Sequence, residues 1–457
     1  MLEGLEISVI ILLFVSVIFV LGFEFINGFH DTANAVATVI YTKSLKPQSA
    51  VVLSGIFNFA GVFFGGIGVA MGIINLLPTD ALLLGDVWLG MSMILALLLS
   101  AIIWNFGTWY LGIPSSSSHT LIGAILGVGI AYSLDMGKGI SGVNWGKAAE
   151  VGLSLLLSPL IGLSLAAILL WVLKISVKNK KIFEAPDGDT PPPTWIRAIL
   201  IFTCSGVSFA HGSNDGQKGV GLLMLVLIMT LPTYYTLNSE KNITDYRNAI
   251  NQFDEKVQII ARDYPANTFG EIKDEVTAIK TIFQKEKLNK DELKEVRKNI
   301  LKIDKEFKSI YKKEPSVESK VKDTLSKFKG ETTEHAPLWV KIAIALSLGL
   351  GTMIGWKRIV VTIGEKIGKQ HLTYAQGASA ELIATITIGF SSFVYHLPVS
   401  TTHILSSGVA GSMIAANGVK NLQKSTVKSI ALAWLLTLPV SIGLSMLLFY
   451  VFKLILV

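Results

Sequence analysis

Two stretches decide how this chain folds: FINGFHDTANAVATVI at residues 25–40 and FAHGSNDGQKGVGLLM at residues 209–224. Each sets a glycine and an aspartate among mostly apolar neighbours. Gly28 matches Gly212 and Asp31 matches Asp215, both 184 positions on. A second pair follows, GIPSSSSHTLIGAILG at 112–127 and YHLPVSTTHILSSGVAG at 395–411. Pro114 matches Pro398 and His119 matches His403, now 284 positions on. The offset has grown by 100, close to the length of a polar segment at 239–336. The chain is therefore a duplicated unit whose second copy carries an insertion.

The solvent of that unit is lipid. Of 457 residues, 51% are hydrophobic and 16% charged, against about 25% charged in a soluble domain. The bland reading of the net charge of +7 is cytoplasmic-loop Lys and Arg. No basic cluster marks a nucleic-acid surface. Cys204 is the only cysteine, which excludes an intrachain disulfide. The first residues carry Glu3 and Glu6 before a long apolar run. A signal peptide would start basic, so this run reads as a retained first span.

A helix needs about 20 apolar residues to span a bilayer. Candidates are 7–26, 50–77, 88–112, 151–174, 195–210, 219–238, 337–356, 373–395 and 426–456, with shorter segments at 28–42, 115–134 and 399–416. The expected fold is all-α, with about twelve membrane elements in two inverted-topology repeats that include discontinuous helices. The expected organisation is a first repeat at 1–173, a cytoplasmic linker at 174–194, the start of the second repeat at 195–238, a soluble helical insert at 239–336, and the rest of the second repeat at 337–457. Short-loop basic residues (Lys43, Lys46; Lys174, Lys178, Lys180, Lys181; Lys357, Arg358, Lys366, Lys369) put their loops in the cytoplasm. With inverted halves, the insert is extracytoplasmic.

Polar groups at membrane depth mark function. Near Gly28 and Gly212 a broken helix would expose N–H groups to an anion and carbonyls to a cation. The runs Ser115–Thr120 and Ser400–His403 each follow a proline. Hydroxyls beside free N–H groups at a helix start suit a tetrahedral anion. The same hydroxyls could simply cap their helices.

These residues resemble the PiT family of inorganic phosphate transporters, whose signature is close to G-A-N-D-V-A-N-A in each half with P-x-S-[ST]-[ST]-H following. The chain is most similar to the bacterial PitA-type branch, and the resemblance covers nearly everything outside the insert. It implies a secondary phosphate symporter without cofactor or catalytic residues. It assigns phosphate to Asp31, Ser116, Ser117, Asp215, Ser400 and Thr401, and a cation to Asp31, Asn34, Asn214 and Asp215. Two positions depart from the sodium-coupled pattern: His30 and Lys218 stand where it has asparagine. An ammonium offers sodium no ligand, so Lys218 is expected to replace a bound ion, and protons carried by His30, Asp31 or Asp215 to provide coupling. The expected partners are inorganic phosphate, protons and the lipid bilayer of the cell inner (plasma) membrane, crossed many times. The branch also implies phosphate carried with a divalent metal. A sodium-coupled carrier, a sulfate carrier and a membrane phosphoesterase are the alternatives, and a homo-oligomer is compatible with all of them.

Overall fold

A computed structural model describes residues 6–77, 86–140, 143–188, 190–265 and 267–457; the side chains at 32–34, 233 and 363–365 lie outside the described residues. The described residues are helical, with one isolated β-bridge between Gly368 and Leu422. Eight helices among them are long and apolar enough to cross a bilayer, and Leu338–Ile354 is a shorter apolar helix. Their outward faces carry exposed Ile7, Ile11, Phe14 and Ile18 on the first helix and Leu435, Leu447 and Leu454 on the last. Such a surface would aggregate in water and is at home in lipid.

The two Gly-Asp motifs lie inside unbroken helices, Ile7–Tyr41 and Thr194–Thr230. This joins 7–26 to 28–42, and 195–210 to 219–230. The motif glycines serve helix crossing rather than a helix break. A Cβ on Gly28 would strike backbone atoms of Leu348 and Thr352 in Leu338–Ile354. A Cβ on Gly212 would strike the backbone of Asn58 in Pro47–Phe64. Partner glycines complete both crossings: Gly351 and Gly355 abut Phe25 and Phe29, while Gly61 and Gly65 abut Phe209 and Ser213. The contacts in the second crossing repeat those of the first. Small residues four apart allow such approach where no hydrophobic force pulls helices together.

The breaks fall at the hydroxyl runs. Ser117–Asp135 and Thr401–Asn417 each begin a fresh helix after Pro114 and Pro398. Each docks on a helix of the other half through glycine: Gly127 sits against Ile442 in Lys424–Leu456, and Gly411 against Leu163 in Trp145–Ser176. The halves therefore interlock, and each hydroxyl run is carried to the centre by a proline-containing helix of the opposite half.

The insert forms four helices, Ile243–Ala261, Gly270–Ile282, Lys290–Lys313 and Pro315–Thr332. Asn242 with Asp245, and Asn289 with Glu292, close capping boxes that start two of them. Phe253, Phe269, Phe307 and Phe328 fill a core separate from the membrane cores, with Phe253 stacked on Phe328 at 4.5 Å. At its neck Asn238 N–H donates to Thr332 O at 2.6 Å and buried Arg297 donates to Thr236 O at 2.8 Å. Burial brings the Arg297 guanidinium down to about 10. Ser239 N–H donates to His335 Nε2 at 3.2 Å; burial, with Arg297 nearby, lowers His335 to about 4.

Candidate functional site

The unbroken motif helices set Asp31 and Asp215 at the centre of the interlocked halves, both buried. Ser117 donates to Asp31 Oδ2 at 2.5 Å, and Thr402 to Asp31 Oδ1 at 2.6 Å. Thr401 donates to Asp215 Oδ2 at 3.1 Å. Ser117 and Thr401 are repeat partners, so each half makes the same hydroxyl–carboxylate bond. Thr402 and its partner Ser118 cross between halves: Thr402 reaches Asp31, and Ser118 is hydrogen-bonded by Lys218.

The family resemblance implies that Ser116 and Ser400 belong to the same anion site, and both stand one residue earlier, as N-caps. Ser116 accepts from His119 N–H at 3.2 Å and Ser400 from His403 N–H at 3.1 Å. Capping and carboxylate contact are thus divided between neighbouring residues of each run, which leaves the positive ends of two helices facing the aspartates.

His30 and Asn214 are repeat partners with one structural task. His30 Nδ1 lies 3.0 Å from Asp31 Oδ1, and its Nε2 lies 3.3 Å from both Ser115 Oγ and Thr108 Oγ1. Asn214 accepts from Val399 N–H at 3.2 Å and donates to Leu397 O at 3.1 Å and Ser392 Oγ at 2.9 Å. Each clasps the segment that leads into its hydroxyl helix. The side chain of Asn34 lies outside the described residues. Its partner Lys218 is 1% exposed. The ammonium pairs with Asp215, donates to Ser118 Oγ, and donates to Val399 O at 3.2 Å. It does not snorkel to an interface.

His211 joins the site, although the sequence reading passed over it. The signal was present: it lies four residues before Asp215, on the same helix face. Its Nε2 is 3.1 Å from Asp215 Oδ2, and its Nδ1 is 2.8 Å from Asn58 Oδ1. The donors in this chain are ordered. Thr352 gives its hydroxyl proton to Leu348 O at 2.9 Å, so it accepts from Asn58 Nδ2 at 2.9 Å. Asn58 Oδ1 then faces His211 Nδ1, the arrangement in which Nδ1 donates. A neutral His211 with that tautomer turns a bare Nε2 lone pair toward the Asp215 carboxylate. The contact is attractive only when a further proton sits between them. One ligand atom each from Asp31, His211 and Asp215 lie within 4.8 Å of one another, a donor set of carboxylates and imidazole that suits a divalent metal.

Two matched helix starts converge on buried carboxylates among helices long and apolar enough to cross a bilayer, an arrangement that suits an integral membrane transporter. The profile of the phosphate transporter family matches residues 27–445. The chain is 41% identical to the low-affinity inorganic phosphate transporters PitB and PitA of Escherichia coli (strain K12), with 97% of this chain and 97% of each relative covered. It is 44% identical to the low-affinity inorganic phosphate transporter of Buchnera aphidicola subsp. Acyrthosiphon pisum, at 96% coverage of both. A solved structure titled "The sodium-dependent phosphate transporter" superposes with a TM-score of 0.61, covering 97% of this chain and 100% of that one. At 18% identity that likeness carries the fold alone. The chain belongs to the phosphate transporter family and is a multi-pass membrane protein that transports inorganic phosphate.

Proposed function

We propose that the protein moves phosphate across the inner (plasma) membrane by alternating access, in symport with protons. One observation carries the coupling. Lys218, the repeat partner of Asn34, holds its ammonium against a carboxylate, a hydroxyl and a backbone carbonyl. Those are oxygen ligands of the kind a sodium ion takes, and a fixed charge there repels a mobile one.

The charge balance supports the same reading. Asp31 and Asp215 bring two negative charges and Lys218 one positive. A phosphate monoanion adds a further negative charge in a buried place, where uncompensated charge is expensive. Protons arriving with the substrate offset it, and the His211–Asp215 contact is a place to hold one. Ser117, Thr401 and the two capped helix starts with Ser116 and Ser400 bind the anion, while Asp31 and Asp215 accept hydrogen bonds from its protonated oxygens. Sulfate has no such proton near neutral pH and meets only repulsion there. The Asp31–His211–Asp215 donor set favours a second form of the cargo, phosphate accompanied by a divalent metal. The insert at 239–336 lies on the extracytoplasmic side in this reading.

Proteoliposomes with proton and sodium gradients imposed separately test the proposal. A pH gradient should drive uptake of labelled phosphate and a sodium gradient at fixed pH should not; sodium-driven uptake would falsify the proton reading. Lys218→Asn should introduce sodium dependence.

A further inference from the structure

A second polar feature lies away from the aspartates. At the end of the helix Val87–Tyr110 the chain turns through Gly112, and beside it Leu338–Ile354 gives way to the short helix Lys357–Glu365. Between them opens a cavity of about 530 Å³, walled by Trp109, Tyr110, Leu111, Lys357, Arg358 and Lys366. That volume is in the range of small-molecule sites, about 300–1,000 Å³. Three cations line it, and no carboxylate does among the described residues.

The walls are held in place. Arg358 donates to Tyr110 O at 2.7 Å, and its guanidinium lies 4.9 Å from the Tyr110 ring and 5.3 Å from that of Trp109. Trp109 Nε1 donates to Gly355 O at 2.9 Å, and Thr362 donates to Gly112 O at 2.9 Å. One bonded arm and two aromatic faces hold the guanidinium in the cavity wall. The two lysines have no acidic partner among the described residues. Positive charge with no acidic partner among the described residues selects an anion, and a guanidinium fork with ammoniums suits phosphoryl oxygens.

The rim adds a second selection. Leu111 is 70% exposed and Ile354 66%. The cavity sits where two apolar helices end, the level at which Trp and Tyr mark a membrane interface. A ligand that is a phosphoryl anion at one end and hydrocarbon at the other satisfies both the lining and the rim. We propose that this cavity binds a phosphoryl-bearing anion, delivered as the headgroup of an anionic phospholipid. The site is separate from the transported phosphate. It is tied to it through Trp109, whose ring packs on Phe29 at 4.7 Å, next to His30.

Native mass spectrometry of the whole protein, mixed with phosphatidylglycerol or phosphatidylcholine, tests this. The wild type should retain one phosphatidylglycerol in preference to phosphatidylcholine. Two cations near a headgroup contribute about 1 kcal/mol each, so Lys357→Ala/Lys366→Ala should weaken retention about thirtyfold. Lys424→Ala/Lys428→Ala, with the same loss of charge on another helix, should leave it intact. Arg358→Lys keeps the charge but loses the fork, and should give an intermediate loss. A parallel arm counts inorganic phosphate bound per chain in discs of pure phosphatidylcholine. If that count falls by one in Lys357→Ala/Lys366→Ala while phosphatidylglycerol retention holds, the phosphoryl site stands and its ligand is free phosphate. Equal retention in both double variants with no change in phosphate count overturns the proposal. None of these readouts depends on the coupling ion.

Discussion

Thr402 and Asp31 are 371 residues apart in sequence and 2.6 Å apart across the site. The bond joins the hydroxyl run of one half to the aspartate of the other. A hydrogen bond to a charged partner contributes about 1.5–3 kcal/mol. Thr402→Val should therefore lower kcat/KM for phosphate uptake roughly ten- to hundredfold, with Thr402→Ser close to wild type. Initial rates in proteoliposomes matched for incorporated protein check this, and an unchanged rate would remove Thr402 from the site.

The helix crossings predict a contrast among glycines. Gly28→Ala and Gly212→Ala drive a methyl into backbone that cannot rotate away. Overpacking of this kind costs about 1–3 kcal/mol, so both variants should melt at lower temperature. Gly152 and Gly389 lie in helices with nothing within 4 Å of an added Cβ. Alanine there should be neutral or slightly stabilising. A thermal shift assay in detergent distinguishes the two classes.

Lys218 and Asp215 should behave as a unit. Removing one member of a buried pair strands a charge and costs about 3–5 kcal/mol. Lys218→Met and Asp215→Asn should each destabilise strongly, and the double variant should be more stable than either. Additive losses in denaturation of the purified variants would mean that the pair is not coupled.

The neck of the insert should loosen in mild acid. His335 Nε2 accepts from the Ser239 amide, so a proton on Nε2 sets two donors against each other. The folded state holds this histidine at about 4, against 6.5 ordinarily. Below 6.5 the opened neck binds the proton more readily than the closed one, so stability is complete above about 6.5 and falls away toward 4. Hydrogen exchange at 236–240, corrected for its intrinsic pH dependence, should accelerate across that window. His335→Gln, which keeps an acceptor, should flatten the response.

The recurrence of Gly, Asp, Pro and His at fixed offsets was legible in the sequence, while Ser117 and Thr401 were singled out by the family resemblance, and the structure sets them on Asp31 and Asp215. What escaped required the docking of the halves. Whether a hydroxyl caps its helix or faces a carboxylate changes with one step in register, which separates Ser116 from Ser117. Thr402 and Ser118 find the partners described above across the interface between the halves. Gly28 was ambiguous on its own, since glycine permits both a broken helix and a close crossing; Gly351 and Gly355 on the facing helix decide for the crossing. Lys218 could reach an interface or turn inward, and a carboxylate one turn away on its own helix drew it inward.

The glycine seams have a mechanical consequence. Where backbone lies directly on backbone, no side chain is left to change rotamer, so the joined helices travel as rigid bodies. The crossings at Gly28 and Gly212 weld the motif helices to Pro47–Phe64 and Leu338–Ile354. The seams at Gly127 and Gly411 weld each hydroxyl helix to its proline-containing partner. Between these bodies runs a row of hydroxyl–carboxylate bonds, from Ser117 and Thr402 to Asp31 and from Thr401 to Asp215. In the proposed transport cycle, an anion that competes for those hydroxyls would enter at the same seam along which the bodies part, so cargo and key would be one molecule.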